Sequence, residues 1–122
     1  MKVLTVDRII GCHRDHIARC GGDGRIISEA NLHELVFRAN LVKDPIIRAS
    51  LVLYSLVAYP AFREGNEAAG LALAEAILEE EGYSLDPAGL SGLSRLADGV
   101  REFSADLPDI EAWLSNQVRK DS

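Results

Sequence analysis

The sequence predicts an all-α domain of about six helices around a central helix pair. Helix start and stop signals recur along the whole chain, whereas the alternation of apolar and polar residues that marks β-strands is nearly absent. With 122 residues, of which 48% are hydrophobic, the chain is long enough to bury one core. We therefore expect a single domain over residues 1–122.

The first two helices each begin at a capping residue. Thr5 is the predicted N-cap of the first helix, which ends at Gly21 and Gly22 because glycine readily adopts the left-handed conformation that ends helices. Ser28 is the predicted N-cap of the second helix, which runs to about Asn40. The segment between the glycine pair and Ser28 is expected to be a loop.

The third and fourth helices form the predicted central pair. Asp44 and Pro45 are a favourable N-cap and first helical residue, and they open the most apolar segment of the chain, IIRASLVLYSLVAY. Apolar residues occupy nearly every face of this helix, so we expect it to be buried all round. Pro60 stops it, because proline lacks an N–H and disfavours helical geometry in the residue before it. Asn66 begins the fourth helix and Gly82 ends it.

Two further helices complete the prediction. Asp86 and Pro87 start the fifth, which ends near Gly99, and the segment from Asp106 to Pro108 starts the last. Trp113 lies at helical spacing with the apolar residues of that last helix, so we expect it to anchor the core.

Charge and hydropathy restrict the partners and the compartment. The chain has 13 Lys and Arg against 19 Asp and Glu, a net charge of −6 that repels nucleic acid. The first residues lack the apolar run of a signal peptide, and no stretch approaches the length of a membrane span. We expect a cytoplasmic protein without nucleic acid or membrane as partners. Cys12 and Cys20 lie about 12 Å apart along one helix, too far for a disulfide.

The segment FREGN, Phe62 to Asn66, is a tight turn that leads directly into a helix N-terminus. Free N–H groups and the helix dipole favour an anion there, and Gly65 lets the backbone approach it closely. Glu64 is a candidate ligand for a magnesium ion that bridges phosphates. Asn66 is expected either to cap the helix or to hydrogen-bond a phosphate oxygen. In a purely structural loop, Phe62 would instead serve as a core plug.

The segment from Arg48 to Leu85 resembles the core of the Fic/Doc family, specifically the Doc (death-on-curing) branch. That family has the motif H-x-F-x-[D/E]-[G/A]-N-[K/G]-R, which Phe62, Glu64, Gly65 and Asn66 match here. LTVDRIIGCHRDHIARCGG and GRIISEANLHELV are similar to the first helix, the following loop and the second helix of the branch, and DIEAWLSNQV is similar to its final helix. The resemblance therefore covers essentially the whole chain.

The resemblance implies ATP-dependent transfer of phosphate or AMP to a protein hydroxyl. ATP and Mg²⁺ would be the cofactors, a small antitoxin protein a partner, and a protein of the translation machinery the substrate. The sequence departs from the motif at the positions that would carry out the reaction. Pro60 stands where the family has its general-base histidine, Glu67 where it has Lys or Gly, and Ala68 where it has the phosphate-binding arginine.

These departures predict a degenerate site with no catalytic residue. Loss of a general base costs about 10²- to 10⁴-fold in rate. Each change of charge costs up to about 4 kcal/mol of phosphate affinity, for charges roughly 4 Å apart at an effective dielectric constant near 20. Gly65 and Asn66 would remain as phosphate- or nucleotide-binding residues. We expect a binding or interaction module.

Two alternatives stay open at this stage. One is an active Doc-like toxin that transfers phosphate or AMP with a substitute base, Tyr59 or Glu64. The other is a metal-binding regulator built on the first helix, where borderline and soft ligands recur at helical spacing. Its ligands would come from Cys12, His13, His16 and Cys20.

Overall fold

The computed structural model describes residues 2–120, which form six α-helices and one pair of two-residue strands. The helices are α1 (Val6–Cys20), α2 (Glu29–Leu41), α3 (Pro45–Ala58), α4 (Asn66–Glu80), α5 (Pro87–Arg101) and α6 (Leu107–Gln117). The strands β1 (Tyr83–Ser84) and β2 (Arg119–Lys120) pair antiparallel. The all-α prediction is confirmed.

Side-chain caps begin every helix except α4. In each capped helix the side chain before the first turn accepts a backbone N–H that has no partner within the helix. These caps are Thr5, Ser28, Asp44, Asp86 and Asp106. The N-cap of helix α4 is instead Gly65, which has φ 83° and provides no side-chain cap. The predicted starts are confirmed, and α5 extends past its predicted end at Gly99 to Arg101.

Helix α3 is the central helix, as its apolar sequence predicts. It contacts α2, α4, α5 and α6, most extensively α4. Close packing of α3 on α4 depends on a glycine, because a Cβ atom at Gly70 would lie 2.9 Å from Leu53 Cδ1 and 3.3 Å from Leu53 Cα. Ala69 and Ala74 of α4 are also small and fully buried. Small residues on α4 thus bring the two helices close together.

The N-terminal segment is fastened to the core by polar side chains. Arg48 of α3 is only 5% exposed, and its guanidinium donates to the carbonyls of Lys2 at 2.7 Å and Val42 at 3.2 Å. The Asn40 amide accepts from the Leu4 N–H at 2.8 Å and donates to the Leu4 carbonyl at 2.9 Å. The buried Arg48 and the half-buried Asn40 therefore depend on the backbone of residues 2–4 for their hydrogen bonds.

The short strands were not predicted. Tyr83 pairs with Lys120 and Ser84 with Arg119, and the Lys120 Nζ lies 4.4 Å above the centre of the Tyr83 ring. Two residues are too few to show an alternating pattern, so the sequence contains no signal for this pairing. The pairing ties the C-terminal segment to the end of α4.

Neither a disulfide nor a membrane-crossing helix occurs between residues 2 and 120. Cys12 is half-buried and Cys20 is exposed, both as free thiols. No helix in this stretch combines the length and the apolar character needed to cross a bilayer.

Helix α5 ends in a Schellman motif with phenylalanine at the position that usually holds glycine. The Ser104 N–H donates to the Gly99 carbonyl at 2.8 Å, and the Phe103 N–H donates to the Val100 carbonyl at 3.2 Å. Phe103 has φ 62°, and this left-handed conformation costs a residue with a side chain roughly 1–2 kcal/mol. Its ring is 96% exposed. The fold gains no packing from this side chain.

Substitution of Gly92 by alanine should destabilise the fold, because a Cβ atom there would lie 2.0 Å from Trp113 Cζ2. The Trp113 ring is fixed by its indole N–H, which donates to the Gly89 carbonyl at 3.1 Å. We expect Gly92→Ala to lower the free energy of unfolding by roughly 1–3 kcal/mol. Gly11→Ala is the matched control, because no atom lies within 4 Å of its Cβ position, and it should stabilise α1 by about 0.5–1 kcal/mol. Urea denaturation of both variants measures the difference.

Candidate functional site

The residues that match the motif line one cleft of about 550 Å³. Most of residues 60–68 form it, from the α3–α4 loop and the first turn of α4, and Ile27, Val57 and Arg101 complete the walls. All seven motif positions named from the sequence contribute to this lining: Pro60, Phe62, Glu64, Gly65, Asn66, Glu67 and Ala68. The structure therefore brings the predicted site residues together.

Asn66 organises the α3–α4 loop. Its Oδ1 accepts the N–H groups of Ala61 at 3.1 Å and Phe62 at 3.0 Å, and its Nδ2 donates to the Phe62 carbonyl at 2.7 Å. The prediction that Asn66 caps α4 is wrong, because Gly65 is the N-cap and Asn66 is the first helical residue. The amide faces back into the loop because Ala61 and Phe62 are buried there and their N–H groups need an acceptor.

The loop rests on α1 through His13. The imidazole of His13 stacks on the Phe62 ring with 3.6 Å between centroids and 6° between planes. His13 is 2% exposed, and its Nε2 lies 2.7 Å from the Glu64 carbonyl, so Nε2 carries the proton that it donates. A Cβ atom at Gly65 would lie 3.1 Å from that Nε2 and 3.2 Å from His16 Cδ2. Glycine is required at position 65 both for its φ of 83° and for this contact.

The loop between α1 and α2 pairs with the FREGN segment, which the sequence did not indicate. Ile26 and Phe62 form an antiparallel bridge. The Glu64 N–H donates to the Asp23 carbonyl at 3.1 Å, and the Glu64 carboxylate accepts the Asp23 N–H at 2.5 Å. Hydrogen bonds from Arg25 lower the pKa of Asp23 to about 2. The candidate magnesium ligand therefore has one carboxylate oxygen engaged in joining the two loops.

Arg101 is a cation in the cleft that sequence reasoning missed. Its Nη2 lies 3.1 Å from Glu67 Oε1, and it also pairs with Asp98 on its own helix. Partial burial, with Asp98 nearby, raises the pKa of Glu67, and Arg101 opposes that shift. No local pattern could have found this pair, because the two residues are 34 positions apart and lie on different helices.

The charges that line the cleft cancel. The charged residues of the lining are Arg63, Glu64, Glu67 and Arg101, which sum to zero. Arg63 also lies 3.8 Å from the Asp23 carboxylate. An incoming phosphate therefore meets no net positive charge from these side chains.

The N-terminus of α4 retains one feature of an anion site. No side chain caps this helix, and its first intrahelical backbone bond runs from the Ala69 N–H to the Gly65 carbonyl at 3.0 Å. The N–H groups of residues 66–68 precede that bond and lack helical acceptors. Glu67 stands in this first turn, where its carboxylate interacts favourably with the helix dipole and repels other anions.

Of the two residues predicted as a substitute base, Tyr59 lies outside the lining of the cleft, and Glu64 lines it with one carboxylate oxygen already hydrogen-bonded. The Tyr59 side chain is 56% exposed and meets the Tyr54 ring edge-on with 6.4 Å between centroids. Glu64 is held by Asp23. Pro60 forms part of the wall, and its carbonyl accepts from the Asn31 amide at 3.0 Å. The motif-histidine position thus offers only a backbone carbonyl.

The candidate metal ligands on α1 do not converge. His13 is bonded to the Glu64 carbonyl, the Cys12 thiol lies 3.9 Å from the Ala69 carbonyl, and Cys20 is exposed. Burial raises the pKa of the Cys12 thiol, which disfavours the thiolate that a metal needs. In residues 2–120 no group of three or more His, Cys, Asp or Glu side chains is arranged to hold a metal ion. The metal-regulator alternative has no support in this geometry.

Comparison of the chain with models of known protein families finds no match, and comparison with curated proteins also finds none. The likeness to the Fic/Doc family therefore stays a prediction, which rests on the motif residues and on the similarity of the helices that flank them.

Replacement of Asn66 by alanine should destabilise the loop, because it leaves the buried N–H groups of Ala61 and Phe62 without their acceptor. We expect the free energy of unfolding to fall by about 2–4 kcal/mol. Asn31→Ala is the control, because it removes one exposed hydrogen bond to Pro60 and should cost no more than about 1 kcal/mol. Equal losses in urea denaturation would contradict the proposed role of Asn66.

The Glu67→Gln variant should gain stability relative to the native protein as pH rises. The pKa of Glu67 is raised in the folded state from its ordinary value of 4.5, so the folded state binds more protons than the unfolded state just above that value. Native stability therefore falls as pH rises through this range, whereas glutamine does not titrate. Thermal unfolding of both proteins from pH 4 to pH 7 at constant ionic strength measures the trend. The opposite trend would show that the pairing with Arg101 outweighs burial.

Proposed function

We propose that this protein is a Doc-like protein of toxin-antitoxin type whose ATP-dependent hydroxyl-transferase site has decayed, and that it works as a binding or interaction module. The observation that carries the proposal is the ion pair between Glu67 and Arg101 in the cleft. It occupies the region where the motif would present a cation to phosphates.

Transfer to a hydroxyl depends first on a base that accepts the proton of that hydroxyl. A hydroxyl that attacks a phosphate needs a base within hydrogen-bond reach. Pro60 has no titratable group, Glu64 is held by the Asp23 N–H, and Tyr59 lies outside the cleft. Loss of the base alone lowers the rate by about 10²- to 10⁴-fold.

The cleft offers little electrostatic attraction to the phosphates of ATP. The charged side chains that line the cleft sum to zero, and Arg101 is already shared between Glu67 and Asp98. The uncapped first turn of α4 remains available to an anion, but Glu67 stands within it. ATP with Mg²⁺ should therefore bind weakly or not at all, and Glu64, Gly65 and Asn66 would be relics of the nucleotide site.

The shape of the α3–α4 loop supports a role in binding a partner. The shape of the loop survives, because Phe62, Gly65 and Asn66 all make specific contacts in it. A preserved framework without the reacting groups fits a protein that acts by binding. On this proposal the protein is cytoplasmic, its partner is a small antitoxin protein, and the ancestral substrate was a protein of the translation machinery.

Restoration of the motif should restore nucleotide binding before it restores transfer. We expect the native protein, incubated with Mg²⁺ and ATP radiolabelled on either the α or the γ phosphate, to label no protein in a cell extract. Pro60→His with Ala68→Arg returns the base and the cation, and Glu67→Gly added to this pair removes one of the two carboxylates that pair with Arg101. The triple variant should bind ATP more tightly than the double variant in calorimetric titrations.

The controls separate decay from misfolding. Each variant is compared with the native protein by thermal unfolding, and Ala68→Arg alone tests whether added charge suffices for binding. Transfer of label by the native protein at a rate comparable with that of the triple variant would refute the decayed site. Label that appears only with the restored variants would support it.

A further inference from the structure

A second, smaller pocket lies between α2 and the C-terminal end of α3, with a volume of about 240 Å³. Residues on one face of α2 line it, together with Ser55 of α3 and the residue that caps the C-terminus of α3. No residue between positions 2 and 120 lines both this pocket and the cleft. We call it the Ser55 pocket, and its lining consists of Asn31, Glu34, Leu35, Arg38, Ser55 and Tyr59.

The Ser55 hydroxyl is a buried polar group without a partner in the described part of the chain. Ser55 is 8% exposed, and its hydroxyl makes no hydrogen bond to residues 2–120. Each fully enclosed side-chain oxygen or nitrogen in that stretch does have a partner, so the Ser55 oxygen reaches the open space of the pocket that it lines. Ser50 on the same helix behaves differently, because its hydroxyl donates to the Ile46 carbonyl at 2.8 Å.

The Asn31 amide adds an open acceptor to the lining of this pocket. Its Nδ2 donates to the Pro60 carbonyl at 3.0 Å, which fixes the orientation of the amide. Its Oδ1 accepts no hydrogen bond from residues 2–120. Because Oδ1 can only accept whereas the Ser55 hydroxyl can also donate, a ligand group with a donor and an acceptor on neighbouring atoms satisfies both. A carboxamide is such a group.

The electrostatics of the pocket favour an uncharged ligand. Its two charged lining residues, Glu34 and Arg38, cancel, and Arg38 Nε donates to Glu34 Oε1 at 2.8 Å. The helix dipoles also offset each other, because Asn31 lies in the first turn of α2 and Tyr59 caps the C-terminus of α3. Leu35, at 3% exposed, contributes an apolar wall.

We propose that the Ser55 pocket binds a small uncharged carboxamide whose apolar body lies against Leu35. The Ser55 hydroxyl donates to the ligand carbonyl, and the ligand N–H donates to Asn31 Oδ1. The pocket is smaller than the roughly 300–1,000 Å³ of sites for drug-sized ligands, so the ligand is limited to about one ring or a short chain. The inference does not depend on the proposed function, because the cleft contributes no residue to this pocket.

Four benzene derivatives with equal numbers of non-hydrogen atoms test the chemistry of the ligand. Benzamide offers both a donor and an acceptor, acetophenone keeps only the carbonyl, benzoate is an anion and benzamidinium is a cation. Benzamide at millimolar concentration should cause saturable backbone amide NMR shifts centred on residues 31–38 and 55–59. The other three compounds should bind at least about fivefold more weakly, because each lacks a hydrogen bond or brings an unmatched charge.

The decisive variant is Ser55→Ala, because it should affect binding without weakening the fold. Loss of the hydroxyl should reduce the affinity for benzamide by at least about fivefold. It should leave Tm unchanged or raise it, because an unpaired buried hydroxyl does not stabilise the native state. Ser50→Ala is the matched control, because Ser50 is a fully buried serine of the same helix that does not line the pocket. It should leave the affinity for benzamide unchanged.

Asn31→Ala separates the two hydrogen bonds of the carboxamide. It should weaken benzamide and leave acetophenone unaltered, because only benzamide has an N–H for the Asn31 oxygen, whereas Ser55→Ala should weaken both compounds. Unaltered benzamide affinity in Ser55→Ala, or an equal loss in Ser50→Ala, would overturn the proposal. So would equal binding of benzoate or benzamidinium. An absence of shifts with every compound would also overturn it, because the Ser55 hydroxyl would then bind only water.

Discussion

Helices α3 and α4 pack so closely at Gly70 that a methyl group there would meet the Leu53 side chain at 2.9 Å. The loop that joins the two helices spans residues 59–65, and its buried N–H groups need acceptors. The Asn66 amide oxygen accepts these N–H groups. His13 of α1 stabilises the loop by stacking on Phe62. The cleft exists because these contacts hold the loop open at the start of α4.

The shape and the charge of this site depend on different side chains. Its shape depends on side chains that contact the backbone, such as Asn66 on Phe62 and His13 on Glu64. Its charge depends on a few side chains at the surface of the cleft, where Glu67 cancels Arg101. Such residues can change without loss of the fold, because exposed ion pairs contribute little to stability. The contacts that shape the cleft are therefore separate from the charges that line it.

Local signals explain why the helices could be predicted. Asp44 and Pro45 define a helix start through contacts within a few residues, and Pro60 stops a helix by its own geometry. The motif residues were likewise near one another in sequence and share one cleft. The pair of Glu67 with Arg101 depends on how α5 crosses α4, which no local pattern encodes.

Two other features could not be predicted from neighbouring residues in the sequence. The bridge between Ile26 and Phe62 involves one residue on each side, so it has no periodicity to detect. Phe103 occupies a position where sequence statistics favour glycine, so its neighbours give no warning of a left-handed residue. Asn66 was predicted to cap α4 because its sequence position suits a cap, and only the three-dimensional loop shows that its amide contacts Ala61 and Phe62 instead.

The buried guanidinium of Arg48 links the first residues of the chain to the behaviour of the whole domain. Its donors are satisfied by the carbonyls of Lys2 and Val42, so detachment of the N-terminal segment would leave a cation in the interior short of an acceptor. Fraying of a chain end normally opens a protein only locally. Here the same motion would destabilise α3, because Arg48 would lose its hydrogen bond to the Lys2 carbonyl. The amino-terminal residues and α3 should therefore exchange their amide hydrogens as one cooperative unit.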